Sequence, residues 1–107
     1  MAKLYHNVTG STGVDVELLP AGSNVGRIGS ICVTNSSSSV ISTVGLRLYN
    51  DTTQETYQIQ AKVTIPVGVT MIIDDQALLN FNNSRKGFGL FAFVGSDTVC
   101  DILINTI

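Results

Sequence analysis

Few residues in this 107-residue chain have the type and spacing to do chemistry. His6 is the single histidine, which excludes every motif that needs two, H-E-x-x-H zinc sites among them. There is no G-x-S-x-G elbow, P-loop or G-x-G-x-x-G, and no nucleophile stands at a recognisable spacing from His6. His6 follows Tyr5 close to the N-terminus and is expected as an exposed polar or interfacial residue, not a general base. Asp74-Asp75, with Asn80, Asn82 and Asn83 nearby, offers oxygen donors to calcium but lacks the D-x-[DN]-x-[DN]-G-x₅-E spacing. The expected use is a turn in which Asp accepts backbone N–H groups. Asp101 lies between Cys100 and Ile102, and is expected to point outward from a strand or to pair with Arg27, Arg47 or Lys62. Cys32 and Cys100 form no C-x-x-C pair. They are expected as small buried hydrophobes, since a bridge needs Cα atoms within about 7 Å. No catalytic, metal-binding or cofactor-binding residue is assigned, and an enzyme is not expected.

Binding chemistry is narrowed in the same way. The net charge is −2 and the pI near 5.0, whereas phosphate contacts need a basic face, so nucleic acid is not an expected partner. Only Arg85-Lys86 cluster among the cations, as a solvated turn or a contact for an acidic partner. Charged residues are 13% of the chain against about 25% in an average soluble domain. Hydrophobic residues are 44% and mean hydropathy is +0.31, which together exclude a disordered charged tail. No apolar run approaches the ~18 residues of a membrane span, and the N-terminal residues lack the apolar core of a signal peptide. With no secretion route evident, the sequons at Asn7, Asn35, Asn50 and Asn82 carry little weight. Tryptophan is absent and aromatics are 7%, leaving Tyr5, Tyr49 and Tyr57 as stacking platforms for a sugar. A sugar-binding module would gather Tyr49, Asn50, Asp51 and Tyr57 into one concave cluster.

The elements that would position these residues are strands. Val14, Val16 and Leu18 alternate with Asp15 and Glu17; Val44, Leu46 and Leu48 alternate with Gly45, Arg47 and Tyr49; Tyr57 and Ile59 alternate with Gln58 and Gln60. Turn residues fall between the runs at 10–13, 20–24, 35–39, 50–53, 66–68, 82–87 and 95–97. The spacing predicts an all-β fold, a small antiparallel β-sandwich of Greek-key or jelly-roll type with about eight strands. One domain suffices for this length, over 13–107, with 1–12 expected as an N-terminal docking arm. The only helix candidate spans 74–81, where Asp75 would cap Gln76-Ala77-Leu78-Leu79; a short strand is the alternative. Leu19-Pro20-Ala21-Gly22 and Ile65-Pro66-Val67-Gly68 echo each other, with Pro expected at the second turn position and Gly two later. The echo reads as reused turn chemistry more than as half-domain symmetry.

Several runs do not alternate. Ile31-Cys32-Val33, Val69-Thr70-Met71-Ile72-Ile73, the segment 88–94 and Ile102-Leu103-Ile104 are apolar on both faces. Such strands usually lie in parallel sheets covered by helices, and this chain has no crossover helices to supply that cover. Either its own loops shield the outer faces or another protein chain does. Low charge favours the second, since large apolar patches are rare on monomers. The expected interface residues are Phe88, Phe91 and Phe93 on the apolar strand, with Leu4, Tyr5 and Val8 as anchors of the arm.

The order of Leu18-Leu19-Pro20-Ala21-Gly22, Ile28 and Ile31, Asn35, Leu46-Arg47-Leu48-Tyr49, Ile65-Pro66-Val67-Gly68-Val69-Thr70 and the closing apolar strands resembles small β-sandwich structural proteins of tailed bacteriophages, marine and cyanobacterial phages above all. The resemblance runs from about residue 14 to 107. Its motifs are turn and core features, which specify architecture better than role. Met71-Ile72-Ile73-Asp74-Asp75 is more apolar than the pattern, and the first twelve residues fall outside it. The resemblance implies a virion component assembled in the host cytoplasm, foremost a capsid decoration (cement) protein, otherwise a neck or tail component. Its implied partners are the major capsid protein or other virion proteins; the doubly apolar strands add further copies of the chain, as a symmetric homo-oligomer such as a trimer. It transfers no catalytic residue and no cofactor.

Overall fold

A computed structural model of the chain describes residues 4–10, 15–95 and 98–107. Lys3, Val14, Asp97 and part of the expected arm and turns (1–3, 11–13, 96–97) lie outside the described residues. Among the described residues eight strands form: β1 (Tyr5–Thr9), β2 (Asp15–Leu19), β3 (Ile28–Asn35), β4 (Ser42–Asn50), β5 (Glu55–Ile65), β6 (Thr70–Ile73), β7 (Gly89–Val94) and β8 (Val99–Thr106). One short helix, α1 (Gln76–Leu79), precedes β7. All pairings are antiparallel and nest about the β4–β5 hairpin: β4 with β5, β3 with β6, β2 with β7, β1 with β8. This long folded ribbon wraps so that β3 also pairs β8 and β4 also pairs β7. The result is two four-stranded sheets, β1-β8-β3-β6 (sheet A) and β2-β7-β4-β5 (sheet B). That order is a jelly roll, the predicted all-β sandwich with the predicted number of strands.

The inward set follows from period two. Sheet A contributes Val8, Ile31, Val33, Ile73, Cys100, Ile102 and Ile104 to the core; sheet B contributes Leu18, Val44, Leu46, Leu48, Ile59, Ile65, Leu90, Ala92 and Val94. Most are fully buried, and each large aliphatic side chain so placed stabilises the fold by roughly 1.5–3 kcal/mol. β5 departs from strict alternation, as β2 does at Leu18-Leu19. Its register against β4 skips twice, between Gln58 and Gln60 and between Gln60 and Val63. Such bulges sharpen local twist and blunt an exposed edge strand against pairing with another chain.

Both Pro-x-Gly segments carry the chain from sheet B to sheet A, at opposite ends of the sandwich. Ser23 N–H donates to Pro20 O at 3.2 Å and Val69 N–H to Pro66 O at 3.1 Å. Proline therefore stands at the first turn position, not the predicted second. Gly22 (φ 92°) and Gly68 (φ 75°) take the third, where a type II turn requires positive φ. Each turn then docks in the same manner. Gly22 N–H donates to Asn83 O at 3.0 Å, and Gly68 N–H to Asn35 O at 2.9 Å.

Those two asparagines, with Asn50, are buried and fasten the loops through their side chains. Asn35 donates to Val40 O and Ile65 O, both at 2.9 Å, and accepts from Ser37 N–H. Asn83 donates to Pro20 O and Phe88 O and accepts from Val25 N–H. Asn50 donates to Lys86 O and accepts from the amides of Thr52 and Thr53. A glycan on Asn35 or Asn50 would have to displace these bonds, so those two sequons do not fit modification of the folded chain.

The segment expected as a docking arm supplies an edge strand instead. Tyr5–Thr9 pairs along β8, and Val8 is in the core. Leu4, His6 and Val8 turn inward while Tyr5, Asn7 and Thr9 are exposed. This is a period-two pattern that the polar His6 conceals. The described part of 1–12 thus belongs to the sandwich.

Candidate functional site

Jelly-roll register decides which doubly apolar strands stand side by side. β6, β3 and β8 are neighbours in sheet A, so their outward residues fall into rows. Tyr5 is opposite Leu103, Leu103 opposite Cys32, and Cys32 opposite Ile72. The row is apolar across all four strands. Tyr5 is 66% exposed, Leu103 49% and Ile72 61%, with Cys32 half-buried between them. The next row, Asn7, Asp101, Thr34 and Thr70, is polar and internally bonded. Asn7 Nδ2 donates to Asp101 Oδ1 at 2.6 Å, and the Thr34 and Thr70 hydroxyls share a bond of 2.7 Å. Asp101 accordingly points outward as expected, but its partner is an asparagine and none of the three predicted cations.

The outer face of sheet B is aromatic and charged. Phe91 and Phe93 on β7 face outward and are half-buried. Phe91 meets Tyr49 of β4 edge to face, with centroids 6.2 Å apart. Arg47 reaches from β4 to Asp15 on β2 at 3.3 Å, the ion pair found among the described residues. Two hollows adjoin the ring pair. One, about 290 Å³, is lined by Asp15, Arg47, Tyr49, Thr56 and Phe91; the other, about 170 Å³, by Glu17, Ala21, Tyr49, Asp51, Gly89 and Phe91. No local motif marks Arg47 or Thr56. They reach this face because β4 pairs with both β7 and β5.

The six predicted interface residues do not form one surface. Tyr5 is on the outer face of sheet A, Leu4 packs against the core edge and Val8 lies inside it. Phe91 and Phe93 share the outer face of sheet B. Phe88 precedes β7 and packs on Tyr57, centroids 5.7 Å apart. The sugar-binding cluster is divided likewise. Tyr49 and Asp51 line a hollow, Asn50 is consumed in the loop, and Tyr57 turns to Phe88 and Glu55. The Tyr57 hydroxyl donates to the Glu55 carboxylate, which holds Glu55 below the usual carboxylate range and raises Tyr57 above that of a free phenol. Glu55's contribution is lost as pH falls through its lowered pKa; Tyr57's is lost only as pH rises through its raised one.

The acidic pair is structural on one side. Asp75 accepts from Ala77 N–H at 2.9 Å and caps α1, as its spacing predicts. Arg85 and Lys86 are exposed in the loop before β7. Cys32 and Cys100 are both free and stand on neighbouring strands, but Cys100 points into the core and Cys32 out. Burial raises the Cys100 thiol pKa, opposed by a bond to Ser42 and reinforced by Asp101. Only Cys32 should therefore react with a thiol reagent in the native protein, about one equivalent, with Cys100 following on denaturation. Two native equivalents at equal rates would contradict this arrangement. No protein-family model matches the chain, and no curated protein matches it.

Proposed function

We propose that the protein is a structural subunit of a tailed-bacteriophage virion, a capsid decoration protein that bridges neighbouring capsid subunits. The observation that carries this reading is the apolar row Tyr5, Leu103, Cys32 and Ile72, which crosses all four strands of sheet A with Leu103 and Ile72 largely exposed. Burying such a row against another chain favours the assembled shell by mass action, because a partner that binds only the folded state stabilises it. The jelly roll and the low charge agree with this role, although a fold alone does not assign one. The same surface would serve a neck or tail component.

The test is cosedimentation of the chain with undecorated phage heads, followed by heat challenge of the heads. Saturable binding that raises the temperature of head breakage is expected. Heads that neither bind the chain nor gain stability, beside tails or necks that do bind it, would move the protein to another part of the virion. Absence of binding to any virion part would end the structural reading.

A further inference from the structure

We propose that the outer face of sheet B is a binding site for a neutral saccharide of at least two sugar units, seated across the Tyr49–Phe91 ring pair. This is independent of the virion reading and uses the opposite sheet. Three observations converge. First, the two hollows share Tyr49 and Phe91 among their lining residues, so this trench-like face offers two adjacent subsites about one aromatic centre. Half-buried aromatic rings with polar neighbours suit the C–H face of a sugar, whose hydroxyls then need donors and acceptors at the ring's edge.

Second, the larger hollow supplies both. Asp15 holds the Arg47 guanidinium from one side at 3.3 Å. Arg47 Nε is buried with no hydrogen-bond partner among the described residues, and Thr56 adds a hydroxyl from β5. That Nε is closed to a ligand, but the Arg47 side chain as a whole is 29% exposed, so its outer N–H groups and the Thr56 hydroxyl are the groups a ligand can meet. Third, the smaller hollow is lined at position 89 by a glycine, where a side chain would crowd the Phe91 ring. A Cβ there would stand 3.1 Å from Phe91 Cε1 and 3.1 Å from Leu19 O.

Charge selects the class of sugar. Asp15, Glu17 and Asp51 line the trench against Arg47 alone, so sialylated, sulfated and phosphorylated ligands are repelled. The same acidic lining would attract a basic peptide, which the test must separate.

The experiment applies the full chain to an array of neutral and acidic glycans, then titrates the best neutral oligosaccharide by calorimetry. Retention of neutral and rejection of acidic glycans is expected. Phe91→Ala should lower affinity at least about tenfold. Gly89→Val should abolish the advantage of an oligosaccharide over its monosaccharide. Thr56→Val removes one hydroxyl from a strand surface and leaves the fold intact, so a weakened affinity there reports the site even where Phe91→Ala unfolds. No retention of neutral glycans by the folded protein overturns the proposal. So does affinity that none of the three variants changes. Capture of a Lys/Arg-rich peptide that Glu17→Gln with Asp51→Asn abolishes, with no glycan retained, overturns it in favour of a protein ligand.

Discussion

Asn83→Ala will lower the stability of the fold by about 2–4 kcal/mol, since the part-buried Phe88 carbonyl and Val25 amide lose their side-chain partner together, Pro20 O keeps only its two bonds from Ser23, and each unsatisfied group costs about 1–3 kcal/mol. The bonds at stake run to Pro20 O at 3.1 Å, Phe88 O at 2.8 Å and Val25 N at 3.4 Å. They join the loop after β2 to the loop before β7, strands that are neighbours in sheet B. For a domain near this size 1 kcal/mol corresponds to about 4–8 °C in Tm, so the midpoint should fall by at least about 10 °C. Asn82→Ala is the matched control. Asn82 is exposed and its side chain accepts one bond, from Ser84 N–H, among the described residues, so a loss below about 1 kcal/mol is expected there. Thermal unfolding of the two variants side by side is the measurement. Equal midpoints would mean that Asn83 is no more than a solvated turn residue.

The second large effect concerns assembly. Light scattering over a concentration series should find the wild-type protein as a defined oligomer of the 11.4 kDa chain, with an unfolding midpoint that rises with concentration. At a hundredfold excess over Kd, association adds about 2.7 kcal/mol. Ile72→Glu with Leu103→Glu places two carboxylates in the exposed apolar row. Both side chains are largely outside the core, so the dilute midpoint should barely move. The variant should be monomeric at every concentration, with a midpoint independent of it. A wild-type monomer with a fixed midpoint would exclude self-association and leave the row to a heterologous surface. A variant that still assembles would place the contact elsewhere, with the aromatic face of sheet B next to be tested.

The sequence by itself determined the strands, most of the core and the local devices. Val44, Leu46 and Leu48 alternate because a strand places successive side chains on opposite faces, and each is buried. Asp75 caps α1 because its carboxylate lies two residues from the Ala77 amide. Both Pro-x-Gly turns are set by a glycine at positive φ. The doubly apolar runs also announced, correctly, outward apolar side chains on β3, β6 and β8. β1 is not legible in the sequence because His6 interrupts the apolar members of its inward face, so that only its pairing with β8 marks it as a strand.

Tertiary structure alone decided which of these outward residues meet. Tyr5, Cys32, Ile72 and Leu103 have no sequence relation to one another; they form one row because the nested pairing sets β6, β3, β8 and β1 in adjacent register. The burial of Asn35, Asn50 and Asn83 was equally hidden, since an asparagine in a turn reads the same whether its amide faces water or three backbone groups. The trench beside Tyr49 and Phe91 draws on β2, β7, β4 and β5. The physical reason is common to all three. Period and turn chemistry are local properties of the chain, whereas a surface is made by strand order, and strand order rests on hydrogen bonds between residues far apart in sequence.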